Sequence, residues 1–173
     1  MIAVSAEGEP AVTARFGPIS RRLFHRFFDP VAFPEEERER LARLAEQGPL
    51  VYVMRSAGVL YYLYFVWALS RRKLPLPTAV VGFPRALHRL LAFLVRLPAR
   101  TGKEGMIQSL EAGESVMVFL RRPAFLRSKG TPLEDPFPAL VGLQRRIERP
   151  IFVLPQILIF KRAPVRLRPG IRD

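Results

Sequence analysis

The side chains best suited to acid–base work are two histidines, His25 and His88, in a chain that has no cysteine. Asp29 follows His25 by four residues, a spacing that puts both on one face if the segment is helical. Such a pair can orient a proton. It also occurs on ordinary helix surfaces, and beside Phe27 and Phe28 a surface histidine is the plainer reading. His88 shares a helical stripe with Arg85, Arg89 and Arg96, where solvent or lipid headgroups are the expected surroundings. Without cysteine, thiol nucleophiles, thiolate zinc sites and disulfides are excluded. The other chemistry-bearing group is cationic. Residues 121–130 read Arg-Arg-Pro-Ala-Phe-Leu-Arg-Ser-Lys-Gly. Arg121, Arg122, Arg127 and Lys129 are candidates to hold a phosphate, because guanidinium groups fork onto phosphate oxygens. The same stretch reads equally well as an exposed basic loop with no defined ligand.

These groups sit in a chain of 173 residues, in which 28 Lys and Arg outnumber 15 Asp and Glu for a net charge of +13. The length suits one domain. The charge favours an anionic partner: phospholipid, nucleic acid or a phosphorylated metabolite. Residues 1–19 read as a flexible arm, 20–165 as the folded domain and 166–173 as a basic tail. The first sixteen residues contain Glu7 and Glu9 and no apolar run, so no secretory signal is read there. Residues 50–69 approach the length of a membrane span, but Arg55 and Gly58 interrupt them. A strand followed by a helix is the expectation.

The elements follow from local pattern. Residues 20–28 are basic and aromatic, suited to an amphipathic helix on a surface. Residues 34–47 have Pro34 at the start, Glu35, Glu36 and Glu37 against the helix dipole, a stripe of Leu41, Leu44 and Ala45, and Gly48 as the stop. Strands are expected at 50–54, 78–83 and 115–120, and helices at 60–70, 85–97, 106–112 and 139–147. Residues 150–160 form a late apolar run containing Pro155. Helices alternating with short buried strands predict an α/β fold, a layer of helices around a largely parallel sheet.

Three segments carry a resemblance to a known family. They are Leu41-Ala-Arg-Leu-Ala-Glu-Gln-Gly-Pro-Leu-Val-Tyr-Val53, Tyr62-Leu-Tyr-Phe65 and Arg149-Pro-Ile-Phe-Val-Leu-Pro155. In order and spacing the chain resembles the glycerol-3-phosphate and 1-acylglycerol-3-phosphate acyltransferases across residues 20–164. The resemblance implies a glycerolipid acyltransferase-like fold. It also implies a reaction: an acyl chain moves from acyl-CoA or acyl carrier protein to a hydroxyl of glycerol 3-phosphate or lysophosphatidate. No cofactor or metal enters that chemistry. In the family's His-x4-Asp motif the histidine serves as general base and the aspartate, five positions on, orients it. Here Ser56 and Tyr61 stand in those places. Neither accepts a proton at neutral pH, so both read as structural, Ser56 in a turn and Tyr61 at a helix start. Of the family's phosphate-binding segment, Arg127-Ser128-Lys129-Gly130 keeps the basic, small, basic, glycine character, while Arg121 and Arg122 stand near the place of its Glu-Gly pair. The resemblance further implies a cytoplasmic protein, peripheral on the inner face of the cell membrane. Apart from the resemblance, the cationic stripe of Arg85, His88, Arg89 and Arg96 beside a wide apolar face suits an interfacial helix on anionic lipid, and equally a helix packed in a hydrophobic groove. Family members run longer after the proline-bearing strand, so the chain reads as incomplete at its carboxyl end. A non-catalytic protein binding anionic lipid is the alternative. Nucleic acid ranks below it, since the basic residues are scattered among apolar runs without a recognisable binding motif.

Overall fold

Leu50-Val-Tyr-Val-Met54 holds five consecutive buried residues, the signature of a strand covered on both faces. In the computed structural model of the chain, residues 16–55, 57–83, 100–121 and 135–158 are described. In chain order the elements are α1 (Pro18–Phe28), α2 (Glu35–Gln47), β1 (Leu50–Met54), α3 (Val59–Arg71), β2 (Pro77–Val81), β3 (Arg100–Thr101), α4 (Gly102–Glu111), β4 (Ser115–Phe119), α5 (Phe137–Gln144) and β5 (Phe152–Gln156). The described strands form one sheet in the order β3-β2-β4-β1-β5. Every pairing is parallel, so helices must return the chain from one end of the sheet to the other. The expected α/β architecture is the one observed.

Alternation along the strands divides the core in two. Leu50, Tyr52, Met54, Val80, Met117 and Phe119 face α3, together with Phe24 of α1 and Leu41 of α2. Val51, Val53, Ala79, Val81, Val116 and Val118 face the other way, onto Met106 and Leu110 of α4 and Leu140 and Leu143 of α5. Each such Val, Leu, Met or Phe side chain taken out of water contributes about 1.5–3 kcal/mol. α3 is buried over eight successive residues, Tyr62 to Leu69, because it lies between the sheet and α1. An all-round apolar helix needs cover on both sides, and this explains why residues 50–69 resemble a span in composition. Among the described residues no helix is long and apolar enough to cross a membrane.

Several boundaries differ from expectation for local reasons. α4 starts at Gly102, four residues early, where Gly, Lys and Glu give no apolar period. α5 runs Phe137–Gln144 rather than 139–147. The Phe137 amide donates to Asp135 Oδ1 at 3.0 Å, and the Gln144 side chain folds the next segment back by bonding Arg149 O and Ile151 N. The two-residue β3 is too short for any pattern, and a polar network holds it. Arg100 reaches Glu114 at 2.7 Å and Ser109 at 3.0 Å, and the Thr78 hydroxyl bonds to Glu114 at 2.8 Å. Pro155 is tolerated because β5 is an edge strand. The expected helix at 85–97, the arm before residue 16 and the tail lie outside the described residues.

Candidate functional site

In open parallel sheets, ligands collect at the carboxyl ends of the strands, where neighbouring strands send their connections to opposite faces. β1 and β4 are such neighbours. β1 leads to α3 on one face and β4 leads towards α5 on the other. Their exits remain tied for a few residues before they part. Leu120 donates its amide to Met54 O at 2.9 Å, and Ala57 donates to Arg121 O at 2.8 Å. The β1 exit is thus pinned against the start of the basic segment.

Arg55 on the β1 exit and Arg121 on the β4 exit, both exposed, stand on either side of this parting of the strands, the β1/β4 crevice. No carboxylate among the described residues forms an ion pair with either. The amino end of α3 opens on the same edge. Gly58 precedes the helix and offers no capping side chain, so the first-turn amides and the helix dipole add to the positive potential. A Cβ on Gly58 would come within 2.6 Å of the Tyr61 ring. The missing side chain is what lets Tyr61 fold back over the turn, half-buried. Gly82, at φ +94°, brings the β2 exit equally close; a Cβ there would meet Phe119 O at 2.4 Å. Phe83 then packs edge-on against Phe119 at 4.9 Å and beside Tyr62 at 5.9 Å, making an aromatic floor. Burial pushes the Tyr62 phenol far up, so it stays protonated.

The rim is apolar as well as cationic. Leu60 on the first turn of α3 is 69% exposed and Ile157, just past β5, is 82% exposed; Leu120 on the β4 exit is exposed too. The edge therefore suits a ligand with an anionic group and an apolar part. Among the described residues of the two exits, 54–58 and 119–121, there is neither a histidine nor a carboxylate. They can bind an anion but supply no general base.

Of the residues singled out from the sequence, Tyr61 and Arg121 are brought to this one edge. Ser56, Arg122, Arg127 and Lys129 lie outside the described residues, as do Arg85, His88, Arg89 and Arg96. Nothing local in the sequence marks Arg55, which adjoins Ser56 but reads only as an interruption of an apolar run.

His25 and Asp29 do meet, as their spacing implies, but elsewhere. His25 Nδ1 is 2.7 Å from Asp29 Oδ2. Arg71 Nη1 donates to both Asp29 oxygens at 2.9 Å, and Trp67 Nε1 donates to Oδ1 at 3.2 Å. The His25 hydrogen bond, then those from Trp67 and Arg71, hold the Asp29 carboxyl below its usual range. The His25 ring stands edge-on to Trp67 at 4.9 Å. A cleft of about 300 Å³ adjoins the group, lined by Phe28, Val31, Tyr64 and Trp67 among others. Arg71 closes α3 while the crevice lies at its first turn. At 1.5 Å per residue the two are roughly 18 Å apart along the helix, so His25 cannot act as base at the carboxyl edge. Its partners Trp67 and Arg71 lie 38 and 42 residues from Asp29, beyond any local pattern.

No protein-family model, curated protein or solved structure matches the chain.

Proposed function

We propose that this chain is an acyltransferase-like protein of glycerophospholipid metabolism that holds a glycerol phosphate headgroup at the β1/β4 crevice. The observation that carries the reading is the pair of guanidinium groups, Arg55 and Arg121, on the two diverging exits. Two such groups grip a phosphate in a way that a single ammonium does not. The exposed Leu60, Leu120 and Ile157 beside them favour an acylated phosphate over nucleic acid, which has no use for aliphatic side chains at a phosphate contact. The resemblance names the reaction as acyl transfer to a glycerol phosphate hydroxyl. With Ser56 and Tyr61 in the dyad places and no base on the described exits, the protein acts by binding the acylated phosphate rather than by turning it over.

Titration of the full chain with glycerol 3-phosphate and with lysophosphatidate tests this reading, alongside an assay with labelled acyl-CoA. Saturable binding, tighter for lysophosphatidate and weakened by Arg55→Ala with Arg121→Ala, is the expected result. Transfer should not exceed a heat-killed control. Wild-type affinity in that double variant would overturn the site, and turnover would replace the binding reading with the transferase one.

A further inference from the structure

α1 turns one face to the core and leaves the other uncovered. Phe24 is buried, Phe28 packs partly against the same core, and His25 and Asp29 fasten the helix to α3 through Arg71 and Trp67. At 3.6 residues per turn, Arg22, Arg26, Leu23 and Phe27 fall in that order across about 140° of the opposite arc. All four are exposed, Leu23 at 51% and Phe27 at 65%. The sequence of α1, Pro-Ile-Ser-Arg-Arg-Leu-Phe-His-Arg-Phe-Phe, contains no acid. Its cap residue Asp29 is bound by Arg71 and His25. On α2, Glu35, Glu37 and Glu39 are paired with Arg38, Arg40 and Arg43, and among the described residues no ion pair joins a carboxylate, Glu36 and Glu46 included, to Arg22 or Arg26.

We infer that this face of α1 docks the protein on an anionic lipid bilayer. Two large apolar side chains standing beside two arginines on one arc match an interfacial helix, with Leu23 and Phe27 at the acyl boundary and Arg22 and Arg26 at the headgroups. Charge complementarity selects the occupant. A net charge of +13 draws the chain to an anionic surface, and the apolar pair then contributes where a headgroup layer gives way to hydrocarbon. The His25–Asp29–Arg71 fastening presents the face already folded, so docking needs no ordering of α1. The inference is independent of the crevice, which involves other residues at another edge.

Co-sedimentation of the full chain with vesicles of equal parts phosphatidylglycerol and phosphatidylcholine tests it. Wild type should bind these vesicles, lose binding as salt rises, and ignore pure phosphatidylcholine. Leu23→Ser with Phe27→Ser should weaken binding about tenfold or more. Arg22→Gln with Arg26→Gln should weaken it about fivefold per arginine and flatten the salt dependence. Circular dichroism and melting temperature check that both pairs fold; the arginine pair decides alone if the serine pair does not. Arg55→Ala with Arg121→Ala should keep vesicle binding. Wild-type failure to bind, unweakened α1 variants, or loss of binding in the crevice variant instead would each overturn the inference. So would α1 variants that lose affinity for duplex DNA while holding on to vesicles, since the face would then serve nucleic acid.

Discussion

α3 has a charged cluster at each end, and the two are opposites in balance. At its carboxyl end, Asp29 accepts from Arg71 and Trp67 and is hydrogen-bonded to His25. Asp29, His25 and Arg71 are each partnered within the fold. At its amino end, Arg55 and Arg121 flank the parting of two strands with no described carboxylate between them. A cluster whose charges are spent on one another fastens elements, whatever catalytic residue types it contains. A cluster left with one sign of charge at a strand divergence has attraction to spare for a ligand. Residue type alone would have ranked these sites the other way, because only the first contains a histidine and an aspartate.

If the carboxyl end of α3 is a fastening, breaking it should cost stability and leave ligand binding alone. Trp67 is 4% exposed, packs against Phe16 and Phe24, and lies under Arg71. Trp67→Ala should destabilise the protein by about 3–5 kcal/mol, read from urea denaturation, a large part of the total for a domain of this size. The reverse holds at the amino end. Arg55→Ala with Arg121→Ala should weaken lysophosphatidate binding by about 10–100-fold, as expected for losing charge-assisted hydrogen bonds. Its denaturation midpoint should stay where it was, since both side chains are exposed. A double variant that unfolds early, with affinity intact in its folded fraction, would erase the contrast.

How much of this was legible beforehand depends on range. Strand β1 is legible to the residue, because five apolar residues between Gly48-Pro49 and Arg55 admit little else. The parallel sheet followed from alternation of element types. Strand order did not: nothing local says that β4 inserts between β2 and β1, and the crevice exists only because of that order. Arg55 gained its meaning from Arg121, 66 residues on in the chain, through the Ala57 to Arg121 hydrogen bond. His25 and Asp29 were visible as a pair because four residues is one helical turn. Their role was not, since Trp67 and Arg71 decide it and arrive from another helix.

A smaller effect separates fastening from ligand site along the buried polar network. Thr78 and Ser109 are both buried and share Glu114 and Arg100 as neighbours. Thr78→Val should cost about 1–3 kcal/mol by leaving Glu114 and Ser109 short of a bond. Ligand affinity should not change, as the network joins the amino ends of β2 and β4 rather than their exits.

The smallest effect is also the most discriminating, because it asks whether the charge on Asp29, rather than its shape, secures α1. The carboxyl is held below its ordinary value in the folded chain, chiefly by the His25 hydrogen bond. The unfolded chain therefore takes up the proton first as pH falls. The stabilisation from Asp29 is complete above the unfolded value of about 4 and is lost as pH drops through the lower folded value. Comparison with Asp29→Asn isolates that share, since general acid effects on a chain of net charge +13 fall on both proteins alike. The wild type should be the more stable of the two near neutral pH, with the margin shrinking below about pH 4. Because the group is largely solvent-exposed, the margin is modest, and urea titration at several pH values resolves it better than melting at one. A margin that persists unchanged to about pH 3 would mean that the carboxylate charge contributes nothing there, and the two ends of α3 would no longer differ in the way their geometry implies.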